Sequence, residues 1–263
     1  MRYLLLTLLF VFGTALAREP SVYVYNETLD RIEYQRNSTE YRPIASITKL
    51  MTAMVALEYS KDLFRQLPLN TTVKSNLPRG TYTRQELFTA MLVRSDNAAA
   101  ETLAADYPGG RKEFIWRMNQ QATAWGINAV FRDPTGLDAH NMATAGDIGT
   151  MAGYAADYWV IRDASVKKTV AFERKFKKRL RKIQLNNTNR PLLMEFDEII
   201  ASKTGFTNPA GYCVALVVEH QKQRRVIVVL GERNRTRRID TVQDIMYNHV
   251  LDQNLQDPEY INN

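Results

Sequence analysis

Ser46 and Lys49 lie three residues apart in an S-x-x-K pattern that could support nucleophilic catalysis. On a helix this spacing places both side chains on one face, one turn apart, so the amine could accept the proton of the serine. An amine base also fits a chain that has only three histidines. Because an unperturbed lysine has a pKa of about 10.4, burial or a nearby cation would have to lower the pKa of Lys49.

Two further short motifs follow along the chain. Ser95-Asp96-Asn97 places a hydroxyl and an amide at a turn predicted between two helices. Lys203-Thr204-Gly205 places a cation and a hydroxyl at the start of a predicted strand, where Gly205 would allow a substrate backbone to approach closely. The first pattern alone is not specific, since Ser165-Val166-Lys167-Lys168 also matches it. The combination and order of the three motifs therefore carry the prediction of a serine hydrolase.

Helical periodicity and capping residues predict a helical middle of the chain. The apolar residues of Ser46–Tyr59 recur on more than one face, which is typical of a buried helix with Ser46 at its N-terminus. Thr83 and Glu86 form a capping box, and Asp96 is interpreted as a turn and capping residue. Further helices are predicted at Ala98–Ala105, Phe114–Trp125 and Thr144–Tyr158, the last with Thr144 as N-cap.

Strand patterns lie at both ends of the chain. The β-rich runs are Ser21–Tyr25, Ile32–Arg36, Tyr212–Glu219 and Arg225–Leu230, and a helix at Thr241–Leu251 follows them. This order predicts an α/β fold of the α+β type, in which N- and C-terminal strands share an antiparallel sheet and an inserted helical region packs beside it.

The composition indicates a globular protein, and the N-terminal segment indicates that it is exported. The 263 residues carry a net charge of +7 and are 45% hydrophobic, which excludes an acidic or disordered chain. Residues 1–17 have a positive start, an apolar run and a final Ala-Leu-Ala, as in a cleaved signal peptide, and an uncleaved anchor is the alternative. We therefore predict a signal peptide over 1–17, a single catalytic domain over 18–263, no transmembrane span and a periplasmic location. The lone Cys213 is interpreted as a buried residue.

Residues 167–182 form a basic run, with nine Lys or Arg and with Glu173 as its one acidic residue. Such a run is usually a solvated face, and peripheral contact with an anionic envelope polymer or lipid is the functional alternative. Nucleic acid is not expected as a partner, because no nucleic-acid-binding motif accompanies the run.

The three motifs together resemble those of the serine D-alanyl-D-alanine peptidases among the low-molecular-mass penicillin-binding proteins (peptidase family S11), relatives of the serine β-lactamases. The resemblance implies a β-lactamase/transpeptidase-like fold. It looks most like the periplasmic D-alanyl-D-alanine endopeptidases, because 263 minus 205, or 58, residues follow Gly205, fewer than an extra β-domain and an anchor helix would need. The matching segments are PIASITKLMTAMVAL from Pro43, YPGG from Tyr107, DPTGL from Asp133, Asn141 with TAGD from Thr144, NTNR from Asn187 and SKTGFTNPAGYCV from Ser202.

An acyl-enzyme mechanism is what the resemblance implies for the motif residues. Ser46 would attack the carbonyl of the donor D-alanine, and Lys49 would take its proton. Ser95 would relay a proton to the leaving amine, and Asn97 would hold a substrate amide while keeping Lys49 in place. Lys203 would lower the pKa of its lysine partner and supply positive potential.

Substrate-binding residues and ligands are implied by the same resemblance. Thr204 and Thr207 would bind the carboxylate beyond the scissile bond, next to Gly205, and the backbone N–H groups of Ser46 and Phe206 would form the oxyanion hole. The expected substrates are D-alanyl cross-links between peptidoglycan stem peptides, with β-lactams as covalent inhibitors. No cofactor and no metal are expected.

Four alternatives remain. A D-alanyl-D-alanine carboxypeptidase acting on pentapeptide stems would share the acyl-enzyme and differ only in its leaving group. A class A β-lactamase would need an E-x-x-L-N segment, and none lies between Asn97 and Lys203. A zinc peptidase is suggested only by His140 and Asp147, and Asp147 is interpreted as a capping residue. A non-catalytic envelope-binding protein is the alternative of another class.

Overall fold

The computed structural model describes residues 18–70, 72–176 and 179–251, and the predicted signal peptide lies outside them. The strands are β1 (Ser21–Asn26), β2 (Arg31–Arg36), β3 (Arg42–Pro43), β4 (Gln66–Pro68), β5 (Thr81–Thr83), β6 (Ala129–Val130), β7 (Met142–Ala143), β8 (Thr169–Phe176), β9 (Arg179–Asn186), β10 (Ile199–Thr207), β11 (Gly211–His220) and β12 (Gln223–Glu232). The α-helices are α1 (Lys49–Tyr59), α2 (Arg84–Val93), α3 (Asn97–Ala105), α4 (Gly110–Ala124), α5 (Ala145–Asp157), α6 (Trp159–Ser165), α7 (Arg190–Glu195) and α8 (Arg235–Ile245). A 3-10 turn at Ala45–Thr48 precedes α1, and a π-helical turn at Met246–Leu251 follows α8.

A five-stranded antiparallel sheet joins the two ends of the described chain in the order β10-β11-β12-β1-β2. Alternate residues of its strands point to opposite faces. Ala215 and Val228 therefore pack into the helical core on one face, while Val214 and Val229 pack with residues of α7 and α8 on the other. The predicted α+β fold with a shared N- and C-terminal sheet is confirmed.

Three helices begin where the predicted capping residues place them. α1 is buried at every position from Lys49 to Leu57, as expected for a helix that is apolar on more than one face. Thr83 forms the capping box of α2, Asp96 caps α3 and Thr144 caps α5. No helix in the described part of the chain is both long and apolar enough to cross a bilayer.

Three predicted boundaries were wrong. The helix predicted from Phe114 begins at Gly110, because the chain enters it through Gly109 in a left-handed backbone conformation. Lys203 lies in the middle of β10 and not at its start, because the β-branched pair beginning at Ile199 extends the strand backwards. The last helix begins at Arg235 and not at Thr241, because the Asn234 side chain accepts a hydrogen bond from the backbone N–H three residues later.

The basic run forms most of an antiparallel hairpin, β8–β9, which the sequence did not predict. Val170, Phe172 and Ile183 of this hairpin pack against the helical core, and Leu185 is buried. These residues alternate along their strands, but the many lysines and arginines obscure that pattern in the sequence.

Candidate active site

Ser46 lies in the crowded 3-10 turn that precedes α1. Ala45 has a φ of +46°, which is uncommon for a residue with a side chain. A Cβ atom on Gly136 would lie 1.9 Å from the carbonyl oxygen of Ala45, and one on Gly205 would lie 3.1 Å from the backbone nitrogen of Ser46. Glycine at both positions therefore lets two neighbouring segments reach the backbone of the serine.

Lys49 lies directly beneath this serine, at the start of α1. Its Nζ atom donates hydrogen bonds to Ser46 Oγ at 2.9 Å, to Asn97 Oδ1 at 2.8 Å and to the carbonyl oxygen of Thr135 at 2.6 Å. The side chain is 0% exposed. The predicted pairing of a serine with an amine one helical turn away is thus present, with two further acceptors that fix the amine.

Burial lowers the pKa of Lys49 to about 7. The carboxylates of Asp133, Asp96 and Glu101 oppose this shift, but the loss of solvent outweighs them. An amine with this pKa is half neutral at pH 7 and can accept a proton there.

The carbonyl of Thr135 belongs to a loop whose function the sequence did not reveal. The Asp133 carboxylate accepts the side-chain hydrogen bond of Thr135 at 2.8 Å and the backbone N–H of Gly136 at 2.6 Å. Asn141 donates to the Asp133 carbonyl at 2.9 Å and to Thr48 at 3.0 Å, which ties the loop to the serine turn. The DPTGL segment therefore presents a backbone acceptor to the buried amine.

Ser95 faces this pair from the turn between α2 and α3. Its φ of +61° is a left-handed backbone conformation that is costly for a serine, and such strain is concentrated at functional sites. Lys203 donates from Nζ to Ser95 Oγ at 3.0 Å and to the carbonyl oxygen of Thr204 at 2.7 Å. Asp96 points away to cap α3, accepting from the backbone N–H of Ala99 at 2.9 Å, as predicted.

Lys203 is almost completely buried, and its pKa is well below that of a free lysine. Burial is the main cause, followed by the positive charges of Lys49 and Arg238. The positive charge of Lys49 disfavours the charged form of Lys203, whereas Lys203 is not among the groups that shift the pKa of Lys49.

A cavity of about 310 Å³ opens above the two serines. Lys49, Asn97 and Lys203 are not among its lining residues and lie behind it. Its lining residues are Ser46, Arg94, Ser95, Asn187, Thr188, Thr204, Gly205, Phe206, Tyr212, Arg235 and Arg238. We call this the catalytic cavity.

Thr204 and Thr207 occupy different places. The Thr204 hydroxyl lines the catalytic cavity and donates to Thr188 Oγ1 at 2.6 Å. Thr207 is not among the lining residues, and its hydroxyl accepts a hydrogen bond from the backbone N–H of Ala210 at 3.2 Å. The structure thus brings Thr204 to the serines and uses Thr207 to close the turn after β10.

Arg238 is a cavity residue that the sequence did not single out. It is 3% exposed, and its Nε and Nη2 atoms have no hydrogen-bond partner among the described residues. Burial lowers its pKa to about 10, so the guanidinium stays charged at neutral pH. The sequence did not predict this position, because the predicted last helix began at Thr241. The structure begins α8 at Arg235, which brings Arg235 and Arg238 to the cavity. The cavity therefore holds a cation that is ready to receive an anion.

Asp147 and Cys213 have structural roles. The Asp147 carboxylate accepts from the Thr144 hydroxyl and from the backbone N–H of Asn128 at 2.8 Å, which makes it a capping and bracing residue. Within the described ranges, no group of three or more His, Cys, Asp or Glu could hold a metal ion. Cys213 is buried, and burial raises the pKa of its thiol to about 11, so it is not a thiolate nucleophile.

Comparison with known proteins places residues 19–234 in a family model described as D-alanyl-D-alanine carboxypeptidase, peptidase S11. The chain is 34% identical over 222 residues to a D-alanyl-D-alanine endopeptidase of Pseudomonas aeruginosa, covering 80% of this chain and 70% of that protein. It is 33% identical to a D-alanyl-D-alanine endopeptidase of Escherichia coli, covering 74% and 66%. A D-alanyl-D-alanine carboxypeptidase of Bacillus subtilis is 27% identical, with 76% and 54% covered.

Two solved structures share the fold. A variant of a Streptomyces DD-transpeptidase is 25% identical, with a TM-score of 0.80 over 86% of this chain and 95% of that one. A penicillin-binding protein of Listeria monocytogenes in its ampicillin-bound form is 28% identical, with a TM-score of 0.75 over 86% and 95%.

Proposed function

Because the chain belongs to the S11 family of D-alanyl-D-alanine peptidases, we propose that it is a penicillin-sensitive serine D,D-endopeptidase that hydrolyses the D-alanyl cross-links of peptidoglycan. The observation that carries the proposal is the hydrogen-bonded pair of Ser46 and Lys49, which faces Ser95 and Lys203 beneath the catalytic cavity.

Acylation begins when the neutral amine of Lys49 takes the proton of Ser46. The Ser46 oxygen then bonds to the carbonyl carbon of the donor D-alanine, and negative charge develops on the carbonyl oxygen. The backbone N–H groups of Ser46 and Phe206 receive that charge in our proposal, which is supported by the close approach of Gly205 to the serine turn.

Collapse of this intermediate breaks the bond between the carbonyl carbon and the leaving nitrogen. The proton held by Lys49 reaches the leaving amine through the Ser95 hydroxyl, which Lys203 orients with its 3.0 Å hydrogen bond. Asn97 holds Lys49 in place through its side-chain oxygen at 2.8 Å. Water then attacks the acyl-enzyme, releasing the donor stem and regenerating Ser46.

The carboxylate of the leaving residue is assigned to the cationic side of the catalytic cavity. The buried guanidinium of Arg238 lacks partners on two of its nitrogens among the described residues, and Arg235 and Thr204 line the same cavity. Arg238 keeps its charge at neutral pH, because its lowered pKa is still about 10, so we assign the positive potential to these arginines. We assign the orientation of Ser95 to Lys203, because Lys203 donates to its hydroxyl at 3.0 Å. Thr207 is proposed to act on substrate only indirectly, through the turn that it closes.

A β-lactam presents a strained amide to the same serine, so we expect it to form a slowly hydrolysed acyl-enzyme at Ser46. We further propose that residues 18–263 act as one exported catalytic domain in the periplasm, released from a signal peptide at 1–17. The motifs support this location because the substrate is an extracytoplasmic polymer.

A digest of purified cross-linked peptidoglycan tests the proposal, with Ser46→Ala as control and mass spectrometry of the products. Loss of cross-linked dimers with a matching gain of monomers would establish the endopeptidase. Loss of one terminal D-alanine from pentapeptides with the dimers intact would make the protein a carboxypeptidase. Absence of both reactions would contradict the proposed function and leave the envelope-binding alternative.

A further inference from the structure

A second cavity of about 490 Å³ adjoins the catalytic cavity. Phe206 and Tyr212 line both cavities, and their rings pack together with centroids 4.2 Å apart. Phe206 is 49% exposed, and its ring separates the two cavities. The second cavity continues along the turn from Asn208 to Gly211. We call it the arginine cavity, after Arg18, Arg42 and Arg233 in its lining.

Arg42 is a buried residue of this cavity that its neighbours hold in place. It is 5% exposed, and its guanidinium donates to the carboxylate of Glu40 at 2.6 Å and to the backbone carbonyl of Glu19. A Cβ atom on Gly231 would lie 2.5 Å from Arg42 Nη1. Gly231 also has a φ of +85°. Glycine at 231 thus leaves room for a guanidinium that the surrounding residues hold in one orientation.

A buried carboxylate lies on the same cavity wall. Glu232 is 5% exposed, and its Oε1 atom accepts a hydrogen bond from Thr241 at 2.7 Å. The exposed Arg18 lies at the mouth, where it pairs with Glu40 at 2.9 Å. Glu40 pairs with both Arg18 and Arg42, so its single charge balances one of the two arginines. The cavity therefore keeps a net positive charge beside the Glu232 carboxylate, and a ligand that carries both charges complements it.

The position of the reacting bond fixes which part of the substrate reaches this cavity. In the proposed function, Arg235 and Arg238 hold the leaving carboxylate in the catalytic cavity that they line. The donor stem then extends the other way along β10, past Phe206. An extended peptide advances by about 3.3–3.6 Å per residue, as β10 itself does. The stem residue before the scissile D-alanine is then level with positions 207 and 208, beside the arginine cavity.

We propose that the arginine cavity binds the side chain of this third stem residue and selects a diamino acid whose side chain ends in both a carboxylate and an amine, as in diaminopimelate, over one that ends in a bare amine, as in lysine. Arg42 and Arg18 contact the carboxylate, and Glu232 contacts the ammonium. The inference rests on the proposed function, because it takes Ser46 as the point from which the stem extends.

Matched cross-linked stem peptides that differ only in this residue test the proposal, with diaminopimelate, diaminopimelate amidated at its side-chain carboxylate, or lysine. We expect kcat/KM of the wild-type protein to be at least tenfold higher for the free diaminopimelate form. In Arg42→Gln this ratio should fall toward one. Arg18→Gln, at an exposed position, should lower it several-fold even where Arg42→Gln fails to fold. Lys112→Gln, an exposed position on α4 outside both cavities, should keep it.

Penicillin acylation of Ser46 separates a failure of the specificity inference from a failure of the proposed function, because the acylation needs no stem side chain. Equal kcat/KM for the three peptides in a protein that penicillin acylates would overturn the specificity inference and leave the proposed function standing. A preference that persists in both arginine variants would also overturn it. A protein that neither cleaves these peptides nor reacts with penicillin would contradict the proposed function itself.

Discussion

Lys49 shows how burial turns an ordinary side chain into a base. The amine is fully enclosed, its three hydrogen-bond acceptors are neutral oxygens, and no carboxylate of the described residues pairs with it. A charged amine in this place has lost its water without gaining an ion pair, so the neutral form is favoured. The sequence predicted this shift, with burial as one of two candidate causes, but it did not predict the contact with the Thr135 carbonyl, which comes from a loop 86 residues away.

Acylation of Ser46 should therefore lose rate on the acid side with an apparent pKa of about 7. The base must be neutral to accept the serine proton, and protonation of Lys49 below this pH removes it. The second-order rate constant for penicillin acylation should be about tenfold lower at pH 6 than at pH 8. Stopped-flow acylation across this range checks it, with thermal unfolding at both pH values as the control for an intact fold. A flat profile, or a limb near pH 10, would show that Lys49 is not the base.

Arg238 is the second residue whose surroundings define its role. Replacing it with Gln should lower kcat/KM for D-alanyl substrates by about 10- to 100-fold, since a hydrogen bond to a charged group contributes about 1.5–3 kcal/mol. The neighbouring Arg237 is exposed and is not among the cavity-lining residues, so Arg237→Gln provides a control of the same charge change. Equal losses in both variants would indicate a general charge effect and contradict the assignment.

At the scale of the elements, glycines determine how closely the segments around Ser46 can pack. β10 and the loop that contains Gly136 both approach the serine turn through glycine, and the turn itself contains a strained Ala45. The sequence predicted the buried helix, the capping box of α2 and the strand pair β11–β12 from local patterns. It did not predict the mid-strand position of Lys203, the start of α8 or the β8–β9 hairpin, because tertiary packing and a single Asn cap set those boundaries.

Gly136→Ala should both destabilise the protein and slow acylation. The new Cβ would lie 1.9 Å from the Ala45 carbonyl oxygen, so the serine turn must move. Gly136 itself has a φ of +80°, which is unfavourable for alanine. We expect a loss of roughly 3 kcal/mol or more in the free energy of unfolding. Gly126 has a φ of +69° but open space around it, so Gly126→Ala should lose only about 1 kcal/mol. Urea unfolding of the two variants measures the difference, and equal losses would mean that backbone conformation alone, and not contact with the serine turn, explains the cost.

At the scale of the whole molecule, the fold brings together groups from distant parts of the chain. Ser46 comes from the 3-10 turn before α1 and Lys49 from the start of α1. Ser95 comes from the turn after α2, and Lys203 comes from β10, 108 residues beyond Ser95. The sheet that pairs β1 with β12 fixes the layer on which these elements pack. The three motifs were sufficient to predict that the two serines and the two lysines meet, but Thr207 lies outside the catalytic cavity. It was not sufficient to predict the cavities, because Thr188, Arg235 and the arginine cavity depend on how the hairpin, α8 and the sheet edge are placed around them.

The most direct test of the central claim is the mass of the protein after reaction with a penicillin, followed by peptide mapping. We predict one covalent adduct per chain, on the peptide that contains Ser46, and none in Ser46→Ala. An unmodified wild-type protein, or an adduct that persists in Ser46→Ala, would contradict the assignment of Ser46 as the nucleophile.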